Sequence, residues 1–388
     1  MIAYNKQQLD NRDMVLEAEK AFRKQLITQE ELSNIKAAYP VELYTPNMYL
    51  RIGLFILTLI IGIFSYGFLC LIMLGGASES VFGGINLFFA IGAYFVLELL
   101  VKEKKHYKSG ADAALMWMSG SALIGGVLLL GGSMNPVGIG IFVLITATWF
   151  FLRFADQVMG WVAQLALLYT LIEILQSLRW VLPFVIIGVS FALYWLLKKL
   201  VQEEAFRHYK GVMKGMQALA LLTLYAGGNL FVVSTFYELY YFGGPGWHTV
   251  VMPMLPMGLI FWVLTVATPF VYLYFGIRNK DQVLIRVGLI LVAAIVFTVR
   301  YYHSVAPLEV AMTVGGLIMI LLAYGVIKYL KEPKNGFTSE EDDEKGTLEA
   351  LQVESILISQ TFKTGAPGKD RFDFGGGSAS GGGASGEY

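Results

Sequence analysis

Ten runs of about 20 apolar residues, each closed by a short polar turn, leave this 388-residue chain few folds to choose from. The runs cover roughly residues 48–74, 84–101, 111–131, 136–152, 157–176, 180–198, 214–236, 249–275, 283–299 and 307–328. A helix needs about 20 residues to cross the hydrocarbon core of a bilayer. Helices suit that environment because their backbone groups are satisfied within the segment. Composition agrees: 56% of residues are hydrophobic and only 15% charged, against about a quarter in soluble domains. The expectation is an all-α, polytopic membrane helix bundle of about ten spans. The narrowest separation is between spans four and five, where only "LRFADQ" intervenes.

Basic residues set the orientation, because Lys and Arg accumulate on the cytoplasmic side. With the N-terminus inside, 27 of the 29 Lys and Arg residues fall on inner segments, and only Arg179 and Arg300 fall outside. This places both termini in the cytoplasm of a bacterial inner membrane. The first 45 residues are polar, so the first apolar run is expected to act as a retained signal anchor. The domains read as a cytosolic helical pair (1–45), a transmembrane bundle (46–330) and a cytosolic tail (331–388).

The chain also matches itself. Two inner turns share "HYK", at His106–Lys108 and His208–Lys210, an offset of 102. At that offset Phe89-Ala90 meets Phe191-Ala192, and Gly125-Gly126 meets Gly227-Gly228. "RFADQV" from Arg153 then matches "RNKDQV" from Arg278, an offset of 125. The reading is a four-helix unit used in parallel, as spans 1–4, 5–8 and 9–10, with copies related by an axis along the membrane normal.

Polar groups inside the spans are the candidate site. Glu173 is either a proton or cation site or a partner of Arg179 reaching the outer water. Glu98 reads as a snorkelling pair with Lys102. Gln164 and Asn229 lie nearer mid-span, where amides bridge helices for about 0.6 kcal/mol on average. Asp156 and Asp281 begin spans and read as helix caps. An outer-surface cluster, Arg300, His303 and Glu309, lies in "RYYHSVAPLE". It reads as an interfacial hairpin, because the equivalent turn, "RWVLPF" followed by Val185, has Arg179 where this one has His303 and Val185 where it has Glu309. The paired glycines read as sites of close helix packing.

No H-E-x-x-H or G-x-x-x-x-G-K-[ST] motif is present, and the single Cys70 offers no cysteine metal site. The chain is therefore expected to be no enzyme, to hold no metal and no cofactor, and to bind no nucleic acid. Its partners are the lipid bilayer, anionic lipid headgroups at the basic "HYK" turns, and a second copy or another protein at its cytosolic ends.

Before the spans, "TQEEL" offers a capping box from Thr28 to Glu31. Met14, Ala18, Phe22, Leu26, Leu32 and Ile35 form an apolar face that packs the two helices together or meets a partner. The tail ends in a low-complexity "FGGGSASGGGASGEY". "LITQEELSNIKAAYP" followed by many spans resembles a class of uncharacterised bacterial multi-pass membrane proteins, domains of unknown function with an N-terminal helical pair. The resemblance covers about 30 residues and departs from the pattern at Leu26, where glycine is expected. It implies an inner-membrane location and no established activity. The functional expectation is a transporter-like protein for a small, weakly charged or amphipathic solute; the alternative is a scaffold or sensor acting through its cytosolic ends.

Overall fold

The computed structural model describes residues 2–72, 78–132, 134–178, 180–241 and 257–303, with isolated helical positions between 310 and 328. Two short helices, α1 (Lys6–Arg23) and α2 (Gln29–Ala38), precede the long ones. These are α3 (Met48–Ile72), α4 (Glu79–Lys102), α5 (Ala111–Leu130), α6 (Pro136–Phe154), α7 (Gln157–Leu175) and α8 (Leu182–Gln202). There follow a 3₁₀ turn (Glu204–Tyr209), α9 (Lys210–Gly228), α10 (Leu230–Tyr241), α11 (Gly258–Arg278) and α12 (Gln282–His303). Among the described residues eight helices are long and apolar enough to cross a membrane, or nine if α9 and α10 form one broken span. This is a helical, multi-pass membrane protein. Most of the tenth expected run, 307–328, lies outside the described residues.

Three expectations about the spans need correction. Span seven, read as one run over 214–236, breaks at Asn229, and its two halves meet at a 70° bend. Gly227-Gly228 weakens the helix there, and the Asn229 side chain restarts it by accepting from the Val232 N–H at 3.1 Å. Span eight begins at Gly258 rather than at 249. The helix of span nine runs on through His303 rather than ending near 299, so "RYYH" is its last turn, and the rest of "RYYHSVAPLE" lies outside the described residues. The narrow break at "LRFADQ" does exist. Ala155 ends α6 in the left-handed region (φ 50°, ψ 44°), and Asp156 caps α7 by accepting from the Met159 N–H at 2.9 Å.

The long helices pack as sequential antiparallel pairs, α4 with α5, α6 with α7, α8 with α9 and α11 with α12. Helix α3 lies on α5, and α7 on α9. Glycine permits the closest approaches. A Cβ on Gly126 would stand 2.8 Å from Leu87, and one on Gly227 would stand 3.2 Å from Ile187. The outward faces are apolar; on α3 Ile63, Phe64, Phe68 and Leu71 are all exposed, as lipid contact requires.

The basic ends of the helices gather under the N-terminal segment. The capping box forms as expected: Thr28 Oγ1 accepts from the Glu31 N–H, and the Glu31 carboxylate accepts from the Thr28 N–H at 2.7 Å. Lys36 ties α2 to α1 through Glu19 at 2.7 Å. The expected apolar face divides. Ala18 and Leu32 are buried, whereas Met14, Phe22 and Leu26 are exposed, because α1 turns Leu9 rather than this face toward the bundle. Tyr4 and Leu9 join a core with Tyr107, Phe150, Phe154 and Tyr209. Both "HYK" turns are thereby covered. Tyr4 packs edge-on against Tyr107 with centroids 4.8 Å apart. On the second turn Asp10 holds Arg207 at 2.5 Å and approaches His208 at 3.4 Å.

Candidate functional site

Two places in the bundle concentrate polar chemistry. The first is the break between α9 and α10. Asn229 is buried and uses its whole amide: Nδ2 donates to Tyr225 Oη at 2.9 Å and to Thr298 Oγ1 at 3.2 Å, while Oδ1 caps α10. Thr265 Oγ1 accepts from the Leu230 N–H at 2.9 Å and donates to the Phe261 carbonyl at 2.7 Å. Four helices are stitched at a point where one of them has lost its ladder. Unpaired backbone groups at that depth would cost several kcal/mol each, so these side chains make the break tolerable.

The second is a cavity of about 560 Å³ at the basic end, where α3, α4, α5, α9 and the α6–α7 turn converge. Its wall is mainly apolar and aromatic, with Ile52, Phe55, Leu97, Met116, Trp117 and Phe154. Its polar lining is Arg51, Lys108, Asp112, Asp156 and Gln157, and Tyr4 reaches it from the N-terminal segment. The volume falls within the ~300–1,000 Å³ usual for small-molecule sites.

Local backbone builds this cavity. Gly110 sits at φ +91°, and a Cβ there would strike the Arg51 carbonyl. Only glycine allows α3 to lie across the start of α5. Asp112 follows; its Oδ1 accepts from the Gly110 N–H at 3.0 Å, the Ala113 N–H at 2.9 Å and the Ser109 hydroxyl at 3.3 Å. Charge then crowds the rim. Burial, then Arg12 and Arg51, pull the Lys108 ammonium below its ordinary pKa, and Asp156 and Asp112 oppose this. Burial raises the Asp156 carboxyl above its ordinary value, against the Met159 N–H and the nearby Trp117 indole. Burial followed by Asp112 pushes the Tyr4 phenol well up. The Trp117 indole nitrogen is shielded from solvent and, though it leans toward Asp156, completes no hydrogen bond.

The candidate residues from the sequence scatter over these features. Asn229 centres the break. Gln164 is buried and lays its amide along α9, with Nε2 donating to the Met216 carbonyl at 3.2 Å and Oε1 accepting from the Ala220 N–H at 3.0 Å. Glu98 does pair with Lys102, at 2.9 Å, but also accepts from Arg153 at 3.0 Å and from the Tyr94 hydroxyl at 3.0 Å. It is thus a tie between α4 and the end of α6 more than a snorkelling pair. Glu173 is half-exposed, with the Tyr169 phenol one turn away; its supposed partner Arg179 lies outside the described residues. Of the outer cluster, the backbone of Arg300 and His303 belongs to the end of α12, while their side chains and Glu309 lie outside the described residues.

The cavity residues Arg51, Lys108, Asp112 and Trp117 were not legible as a site. They come from turns and helix starts far apart in sequence, and each alone reads as a topology signal or a cap. A comparison of the chain with protein-family models, with curated proteins and with solved structures finds no match.

Proposed function

We propose that this protein is a transporter-like carrier of a small amphipathic solute, and the observation that carries the reading is the cavity at the basic end. Most of its wall comes from spans 1–4, the first copy of the proposed repeat, and Asp156, Gln157, Gly211 and Val212 of the second copy close it at the basic end. The packing supports the repeat but shifts its register. The buried positions of α4 recur in α8 at an offset of 100, as Gly83/Pro183, Ala90/Ser190 and Leu97/Leu197. Those of α5 recur in α9 at 101, as Asp112/Met213, Ser119/Ala220 and Gly126/Gly227. The offset of 102 holds only for the "HYK" turns; at 102 the buried Ala90 would match Ala192, which is exposed. At 125, Phe151 over Gly160 becomes Gly276 under Ile285, a large-for-small exchange across the same helix pair. The break at Asn229 supplies a hinge within one copy.

With the N-terminus inside, the cavity faces the cytoplasm of a bacterial inner membrane. A reporter fused after Lys108 or Lys210 then reads as cytoplasmic, and one fused near Ser78 as external. A periplasmic signal at Lys210 would reverse the topology. The transport reading has its own test, which needs no known solute. In a Cys70→Ser background, Ala113→Cys on the cavity wall is labelled in vesicles with a membrane-impermeant thiol reagent. A carrier exposes this position to the inner face and, more slowly, to the outer face; labelling from one face only removes the transport reading.

The sensor reading keeps one observation in its favour. Tyr4 lines the cavity while α1 grips the second "HYK" turn through Asp10, so a change in the cavity reaches the cytosolic segment directly.

A further inference from the structure

The two R-x-x-D-Q-V turns are shaped alike and wired differently. In the second, Asp281 Oδ1 caps α12 through the Val283 N–H at 3.0 Å, while Oδ2 takes the Lys198 ammonium at 2.7 Å and the Tyr194 hydroxyl at 2.9 Å. In the first, Asp156 Oδ1 caps α7 in the same way. No Lys, Arg or His among the described residues comes within ion-pairing distance of it. The position that supplies Lys198 in α8 is Glu98 in α4, 100 residues earlier, and Glu98 has turned instead to Arg153. The ammonium present in one half is missing from the other, where Asp156 lines the cavity instead. Beside it the Trp117 N–H is buried without an acceptor.

One half therefore holds a carboxylate that Lys108 influences only from beyond ion-pairing distance, and a buried donor that leans toward it without completing a hydrogen bond, each of which is costly to leave unmet. Arg51 and Lys108 add two cations at the same cavity. A single molecule that brings an ammonium and an anionic oxygen close together answers all of them, and the apolar wall of Phe55, Leu97 and Met116 accommodates the rest of it. We propose that this cavity binds a small zwitterion with an apolar body, its ammonium on Asp156 and its anionic group toward Trp117, Arg51 and Lys108. Two sources carry that chemistry, a large apolar α-amino acid and the headgroup of phosphatidylethanolamine. The proposal deepens the transport reading by naming the solute class. Because it is tested by binding in detergent and transport by labelling across the membrane, the two fail separately.

The experiment titrates the purified full chain with L-phenylalanine and, separately, with monomeric dihexanoyl-phosphatidylethanolamine, following heat release. Phenethylamine and 3-phenylpropionate each lack one charge. Saturable binding of one zwitterion is expected, weaker by about tenfold or more when either charge is removed or in Asp156→Asn. Which zwitterion binds identifies the source. Trp117→Phe keeps the ring, removes only the donor and weakens binding similarly; it serves where Asp156→Asn does not fold. Asp281→Asn, whose carboxylate already has its lysine, binds as the wild type does. Failure of both zwitterions to bind the folded wild type overturns the proposal. So does equal binding of 3-phenylpropionate, or unchanged affinity in folded Asp156→Asn.

Discussion

Asp156 and Asp281 are the same residue in the same turn, and their surroundings give them opposite thermodynamic signs. At Asp281 burial pushes the pKa up, but Lys198 and Tyr194 outweigh it, and the carboxyl ends below its ordinary 3.8. Its contribution is present at neutral pH and lost as pH falls below about 4. At Asp156 burial wins, so the folded state holds the proton more tightly than the unfolded chain does. Stability therefore falls as pH rises above 3.8, and the charged carboxyl costs stability at neutral pH. Thermal unfolding in detergent at pH 7 should then show Asp281→Asn destabilised by ~1–2 kcal/mol, between the values for exposed and buried pairs. Asp156→Asn should be at least as stable as wild type, since Asn still caps α7. Both differences should shrink on acidification toward pH 3.5. A carboxylate retained at a cost in stability is what a ligand site leaves behind. Gly110 is a second residue-scale test. Gly110→Ala forces a Cβ onto the Arg51 carbonyl at φ +91° and should cost ~2–4 kcal/mol or prevent folding.

Among the elements, the α9–α10 pair is the one whose stability rests on side chains. Asn229→Ala removes the cap on Val232 and the donor to the Tyr225 hydroxyl, while Thr298 keeps its bond to the Ala294 carbonyl, at ~1–3 kcal/mol for groups left unsatisfied when buried. Hydrogen exchange should quicken at residues 230–233 while the α4–α5 pair stays protected. Uniform protection in the variant would mean that the break does not depend on Asn229. The sequence showed the glycines and the amide but read them as one continuous span, because composition averaged over 20 residues does not register a local turn. The α6–α7 turn was legible for the opposite reason: Arg153 and Asp156 put two charges where a continuous span would not carry them.

The whole molecule is held at its basic end by the N-terminal segment, which closes over both "HYK" turns. That segment buries Tyr107 and Tyr209, so these turns are structural anchors whose tyrosines face the protein core. Asp10→Ala with Asp13→Ala removes the ion pairs to Arg207 and His208 while leaving Tyr4 and Leu9 in place. Limited proteolysis within residues 2–45 should accelerate in the variant. Salt should speed cleavage more in the wild type than in the variant, which keeps Lys36–Glu19 and Lys105–Glu42 but has lost the pairs to Arg207 and His208.

Hydropathy and charge alone determined that this chain crosses a membrane as helices, where most spans start and stop, and that Asp156 and Asp281 begin them. Those properties are local: a run of apolar residues has the same transfer energy whatever its neighbours, and a cap acts within one turn. Only the tertiary structure decided which carboxylate is neutralised. Lys198 lies 83 residues from Asp281, and Glu98 lies 55 from Arg153. Pairing across such distances depends on how the helices pack, as does the gap left at Asp156, Trp117 and Arg51.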